Sequence, residues 1–591
     1  MRVIIRIFAV IGVLSVLLFV GLFMVTVYGV RHLHLASTPA PVTDNTVLSF
    51  DFDRPIVEGA QPLQQLLNDR TVNFTTLVEA LKRGTYDDRV KGLIARAGGV
   101  QLGFAQIQEL RDALARFRAK GKFAYVFAES FGELGGGTRS YYLASGFDKI
   151  WVQPGGALAL VGIHAEIPFF KGTLDKLGVE AQFDRRAEYK SAATQFTNTK
   201  LPDTDRTAYD SMLGSIYDEI ADGIGKDRKL GADAVKQLVD GGPYLAQEAL
   251  DKHLIDAVGY RDEVEAEARK AAGGSAHVME AGSYAASARV TDAGTSVVAI
   301  IRAIGPIQSG RGPEGPFDDS KVVGADTMVR AFEEAVKDTQ VKAIILRIDS
   351  PGGSSVASET IWRAVKQARD AKKPVIVSMA DTAASGGYYI AVGADQIVAE
   401  PATLTGSIGV FAGKFVLSGL WDKLGVSYDT LSFGHSADIE SDLSGFSPDE
   451  KQHFTAMLDD TYRMFVAHVA EGRHLDPVKA EALARGRVWT GQQAKERGLV
   501  DALGGLDTAI DLGKAAAGIT AETAVTLRAF PRPNSAWERF ALGLDGGLTA
   551  ESTLAGLVDR ASVLEPVLRK LDQLRAASTG GLSMAPVEIA D

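Results

Sequence analysis

The chain aligns with itself, and this self-similarity constrains its fold more than any other feature. Thr76–Lys91 (TLVEALKRGTYDDRVK) lies without a gap on Thr327–Lys342 (TMVRAFEEAVKDTQVK). Each leads into an apolar run, Gly92–Arg96 and Ala343–Arg347. Tyr141–Ile150 recurs as Tyr388–Ile397, Asp175–Val179 as Asp422–Val426, and Leu254–Ala257 as Leu499–Ala502. The order is the same each time, so the chain holds two homologous domains of roughly 240 residues. We place the first at 46–285 and the second at 286–530.

Within each copy, short β-rich runs alternate with helical patterns, which predicts an α/β fold with a largely parallel sheet. Thr327–Lys337 is one such helix, with Met328, Ala331, Phe332 and Ala335 in a stripe at i, i+3, i+4 and i+7. Gly273-Gly274-Ser275 and the Ala/Ser/Gly-rich stretch to Ser296 read as the join between the copies. Residues 531–591 form a tail with one helix candidate, Leu554–Leu574.

Ahead of the repeats, Ile7–Val30 is free of charge. As a helix it is about 36 Å long, enough to cross a hydrocarbon core of about 30 Å. The alternative, a cleaved signal peptide, has a shorter apolar core. Arg2 and Arg6 precede the run, and Asp44, Asp51 and Asp53 lie beyond Arg31. The positive-inside bias therefore puts residues 1–6 in the cytoplasm, 7–30 across the membrane, and a polar linker at 31–45 outside. Net charge is −11 with no basic block, so nucleic acid is not an expected partner. With no cysteine, thiolate catalysis and Cys-type zinc sites are excluded, and the nine histidines form no HExxH pattern. No cofactor or metal is expected.

The chemistry lies where the copies differ. Ala383-Ala384-Ser385-Gly386-Gly387-Tyr388-Tyr389 and Asp349-Ser350-Pro351-Gly352-Gly353-Ser354 each follow an apolar strand-like run and precede a helical pattern. A serine at such a turn presents its hydroxyl above the sheet, and glycines let backbone N–H groups approach a bound carbonyl. Ser385 reads as a nucleophile, with Gly353 and Gly386 as oxyanion donors. In the first copy Thr138, Arg139 and Ser140 replace Ser385, Gly386 and Gly387, and Ala97-Gly98-Gly99-Val100 replaces the Pro-Gly-Gly loop. Lys190 of the first copy falls opposite Ala437 of the second. One copy thus holds the serine and the other the lysine, as expected for a single site drawing on both. His435 with Asp438 is the competing base and orienter.

The runs Asp349–Ser354, Ala383–Tyr389 and Pro401–Gly409, with Tyr189-Lys190-Ser191-Ala192, resemble the signal peptide peptidases of the SppA type in their long, duplicated form, also called protease IV. The resemblance covers the chain up to about Asn534. It implies tandem duplicated Clp-protease/crotonase-like α/β domains behind one transmembrane helix. It implies a serine endopeptidase with Ser385 as nucleophile and Lys190 as general base, acting on cleaved signal peptides and other hydrophobic peptides. It also implies a homotetramer in the bacterial inner membrane, single-pass, with periplasmic catalytic domains. A lysine is a base only when uncharged, so burial without a carboxylate partner must lower its pKa. Two other readings compete: a crotonase-like acyl-thioester enzyme, and a non-catalytic membrane scaffold of peptidase ancestry.

Overall fold

The computed structural model describes residues 21, 41–59, 71–133, 135–288, 296–312, 321–521, 523–532, 581–583 and 589–590. The apolar run at 7–30, residue 21 apart, and the helix candidate at 554–574 lie outside the described residues. Among the described residues, no helix is long and apolar enough to cross a membrane.

Two parallel sheets are built in the same order. In the first copy the spatial sequence is Ala257–Val258, Lys149–Val152, Phe123–Ala128, Val90–Arg96, Thr46–Asp51, His277–Glu280. In the second it is Ala502–Leu503, Gln396–Ala399, Val375–Ala384, Val341–Ser350, Val297–Ile304, Thr526–Phe530. Leu404–Gly406 extends the second sheet beside the far end of Val375–Ala384, and Val488–Thr490 runs antiparallel to it.

These strands are apolar on both faces because both faces are covered. Val298, Ile300, Ile345 and Ile376 pack with Leu506, Ala509 and Ile510 of the helix Leu506–Ala516. The alternate residues Val297, Ala299, Ile301, Ile344 and Leu346 point the other way. They meet Met328, Ala331, Phe332 and Ala335 of the helix Ala325–Lys337, together with Ile361 and Val365.

The stretch expected to join the copies instead completes the first one. His277–Glu280 is its sixth strand, and Ala281–Ala288 is a helix whose Tyr284 is buried and donates to Asp87 Oδ2 at 3.0 Å. Its Gly, Ala and Ser content reads as a linker, yet Met279, Tyr284 and Ala285 are buried and hold it in place.

A strand pairing and a buried ion cluster both tie the copies together. Glu180–Arg186 of the first pairs antiparallel with Val410–Val416 of the second over seven residues. Arg347, buried on the second sheet, donates Nε to Glu58 at 2.6 Å and Nη2 to Glu109 at 2.8 Å, both from the first copy. Its Nη1 donates to Ser378 Oγ at 2.8 Å. A buried ion cluster adds little net stability when complete, but losing one member strands the others. Arg347→Ala therefore lowers the unfolding free energy by about 3–5 kcal/mol, measured by urea denaturation.

Candidate active site

Val375–Ala384 and the helix Gly386–Ala391 meet at Ser385, which has φ 56° and ψ −115°. An L-residue reaches that conformation only under strain, which neighbouring bonds must hold. Ser385 N–H donates to Gly406 O at 2.8 Å, and Ser385 O accepts from Tyr389 N–H at 2.8 Å. The glycines permit a close approach on the other side. A Cβ on Gly386 would lie 2.7 Å from Ser358 Oγ and 3.1 Å from both Gly352 Cα and Gly353 N. The turn at Ser385 thus presses against the Gly352–Gly353 loop, and the two sequence-predicted glycines are brought together.

Lys190 reaches the same point from the other copy. The strand Glu180–Arg186 carries the chain across the seam, and Tyr189 N–H donates to Arg485 O at 3.1 Å. Lys190 Nζ lies 2.6 Å from Ser385 Oγ, 2.9 Å from Ser407 O and 3.0 Å from Ser407 Oγ. Both Lys190 and Ser385 are buried. Loss of hydration pushes the lysine pKa well down from its ordinary value, and no opposing charge restores it. Glu188, the nearest carboxylate in sequence, is taken by Arg485 at 2.7 Å. Ala192 and Ala193 pack with Phe411 beside it.

His435 is exposed and lies 3.2 Å from Asp449 Oδ2. The structure does not join it to Asp438 or to Ser385. It belongs to the long exposed stretch after Gly425, in which small polar residues alternate with isolated apolar ones.

The model of peptidase family S49 matches residues 116–275 and 367–520, one segment in each copy. The chloroplastic serine protease SPPA of Arabidopsis thaliana is 31% identical over 87% of this chain and 76% of its own length. Protease 4 of Salmonella typhi is 34% identical over 73% of this chain and 70% of its own. Protease 4 of Haemophilus influenzae is 28% identical over 77% and 75%. The chain belongs to peptidase family S49. It is a serine endopeptidase of the SppA type, and its family segments are duplicated as the two sheets are.

Two residues at the centre of this S49 peptidase were not singled out by sequence reasoning. Ser407 lies inside the run Pro401–Gly409 but looks like any turn serine. Its φ of 50° and its two contacts to the lysine amine appear only in three dimensions. Gly486, with φ 78°, lies between Arg485 and Arg487, and nothing local marks it. A Cβ there would come 2.5 Å from Lys190 N and 2.7 Å from Lys190 Cβ.

The tail contributes two short strands that its sequence did not announce. Gly581–Ser583 pairs antiparallel with Gly352–Ser354, with Leu582 opposite Gly353. Ile589–Ala590 pairs antiparallel with His164–Ala165, and Arg139 Nη2 donates to Ile589 O at 2.6 Å. The edge beside the Gly352–Gly353 loop therefore accepts an extended backbone.

Gly486 gives a test of the lysine's placement. Gly486→Ala must displace Lys190 or distort the backbone at a positive φ. A displacement near 1 Å at a reacting group costs about 10²-fold in rate. We expect kcat of Gly486→Ala to fall by about that factor with KM little changed, measured with a fluorogenic peptide.

Proposed function

We propose that this S49 peptidase hydrolyses peptide bonds with a Ser385/Lys190 dyad contributed by its two copies. The observation that carries this reading is the 2.6 Å contact of Lys190 Nζ with Ser385 Oγ in a buried setting without a counter-charge. An uncharged amine has two N–H bonds and one lone pair. Ser407 O and Ser407 Oγ accept the two N–H bonds, which leaves the lone pair for the Ser385 hydroxyl proton. Ser385 Oγ attacks the scissile carbonyl as Lys190 takes that proton. The oxyanion is met by the N–H groups of Gly353 and Gly386, each worth about 3 kcal/mol. Lys190 then protonates the leaving amine, the acyl-enzyme forms, and water attacks it by the same route in reverse.

The substrate is an extended peptide lying along Gly352–Ser354, where the tail strand Gly581–Ser583 pairs. Its preferred class is hydrophobic, cleaved signal peptides above all. The charge-free run at 7–30 supports this class, because an anchor there keeps the domains beside a bilayer that releases such peptides. We propose a single-pass protein of the bacterial inner membrane with both copies in the periplasm. The duplicated parallel sheets suit a Clp-protease/crotonase-like core.

A homotetramer fits the repeat geometry. Residues 427–433 of the second copy correspond to the strand Glu180–Arg186 of the first. Glu180–Arg186 is paired, whereas Leu431 and Phe433 are 91% and 95% exposed. Large apolar side chains left this bare mark a surface that another chain covers. The matching edge in the first copy is at 163–169, where, among the described residues, His164–Ala165 is paired. A second chain's copy of that edge would repeat the internal contact head to tail, and such contacts form a ring when their rotation closes.

Fluorophosphonate capture tests the dyad. Ser385 should be labelled, Ser385→Ala should not be, and Lys190→Ala should label at least 10²-fold more slowly. The rate of capture should rise with pH through a midpoint well below that of a free lysine. The sign follows from the base being active only when uncharged and from burial lowering its pKa. Unchanged labelling of Lys190→Ala would remove the lysine from the mechanism. For assembly, Leu431→Asp combined with Phe433→Asp should reduce the mass seen by light scattering to that of a monomer.

A further inference from the structure

The strand leading to Ser385 is irregular, and two carboxyl groups occupy the irregularity. Ile348 pairs with Met379, but Ser350 pairs with Ala383. One residue, Asp349, thus faces three, Ala380, Asp381 and Thr382, in a bulge directly before the nucleophile. In the first copy the corresponding strand pairing ends at Arg96 on Phe127, before the position of the bulge. Counted along the repeat, it has Gly98 and Ser130 where the second has Asp349 and Asp381. The acidic pair is confined to the copy that carries the serine.

Each carboxyl fastens something. Asp349 Oδ1 accepts Thr382 N–H at 3.2 Å, and Asp349 O accepts Gly305 N–H at 2.8 Å. Three residues on, the chain becomes the Gly352–Gly353 loop. Asp381 Oδ1 reaches across the seam to accept Ala105 N–H and Gln106 N–H, both at 3.1 Å. These are first-turn donors of the helix Phe104–Ala119, whose N-cap, Gly103, has no side chain to supply. A Cβ on Gly103 would lie 2.1 Å from the Asp381 carboxyl carbon, so the glycine makes room for a cap donated by the other copy.

We infer that Asp349 and Asp381 are positioning residues for peptide hydrolysis, a carboxyl pair that pins the bulge before Ser385, and the loop beside it, to the copy that supplies Lys190. The inference rests on Ser385 being the nucleophile. Both carboxyls lie above the usual carboxylate range, Asp349 at about 7 and Asp381 at about 6. The groups facing it are Glu58, whose charge opposes ionisation, and Arg347, whose charge favours it. Loss of hydration and mutual repulsion push Asp349 up, and loss of hydration with the Glu58 charge pushes Asp381 up against its two N–H partners. When both carboxyls ionise they repel, the bulge loosens and catalysis falls. The wild-type pH–rate profile should therefore carry a falling limb as the pair loses its last proton, beside the rise as Lys190 loses its own.

The test compares wild type, Asp349→Asn, Asp381→Asn and Asp381→Ala by kcat and KM from pH 5 to 10 on a fluorogenic peptide. Rates are expressed per folded molecule from thermal melts. Asp349→Asn, whose amide cannot ionise, should keep the rising limb and lose the falling one. Asp381→Ala should lower kcat by about 10²-fold with KM within about threefold. Asp381→Asn, whose amide oxygen still accepts the two N–H groups, should recover at least about tenfold of that loss. A wild-type profile without a falling limb, an Asp349→Asn profile that matches wild type, or an Asp381→Ala kcat within about twofold of wild type would overturn the inference. Mass-spectrometric mapping of fluorophosphonate on wild-type protein separates the two failures. Label away from Ser385 sinks the nucleophile assignment; label on Ser385 with unaffected Asp variants sinks only the carboxyl pair.

Discussion

On the proposed Ser385/Lys190 mechanism, an amine held without its charge is what the rest of this structure serves. Lys190 is buried and only the Ser407 and Ser385 oxygens approach Nζ among the described residues. In water the same group would be protonated and useless as a base. Keeping it neutral takes a dry pocket, and that pocket has walls from both copies. Ala192 and Ala193 come from the first, Phe411 and Ser407 from the second. The antiparallel pairing of Glu180–Arg186 with Val410–Val416 delivers the lysine there. Gly486 lets the backbone pass close enough.

The seam therefore has to be rigid, and it is built from charge as well as apolar surface. Arg347 gathers Glu58 and Glu109 from the opposite copy, and Asp381 caps a helix that its own copy does not contain. Such groups contribute little net free energy once their dehydration is counted. Their value is directional. A hydrophobic seam tolerates sliding, whereas a guanidinium with three assigned acceptors does not. Ser385 is held at a strained φ, and strain of that kind persists only where the surroundings over-determine it.

Much of this was legible in the sequence because the chain contains its own comparison. Matching Thr76–Lys91 with Thr327–Lys342 gave the duplication and, from there, the parallel α/β fold. Ser385 and Lys190 stood out because each was missing from the other copy, and the structure brings them together. What could not be read was anything set by contacts distant in sequence. Ser407, Gly486 and Asp381 act on partners 217, 296 and 275 or 276 residues away, and no local pattern encodes that. The stretch after Gly273 misled for a related reason. Small residues suggest a linker, but burial of Met279 and Tyr284 makes it a strand and a helix. The tail strands were missed because three residues paired to a distant edge carry no periodicity.

If Ser385 and Lys190 react as proposed, splitting them between duplicated copies also controls when the chain can react. On that reading, one copy alone has either a serine with no base or a lysine without the Ser407 and Phe411 walls of its pocket. In the first case the hydroxyl is an ordinary alcohol. In the second the amine is charged, because desolvation is the sole cause of its lowered pKa. In the proposed mechanism, catalysis then begins only when the seam closes and the pocket dries. The same closure aligns the Gly352–Gly353 loop with Ser385, since a Cβ on Gly386 would collide with that loop. In that proposal, docking of the copies, neutralisation of the base and assembly of the oxyanion donors are one event rather than three. A peptidase built this way has no active partial fold with which to cut unfolded chains, including its own.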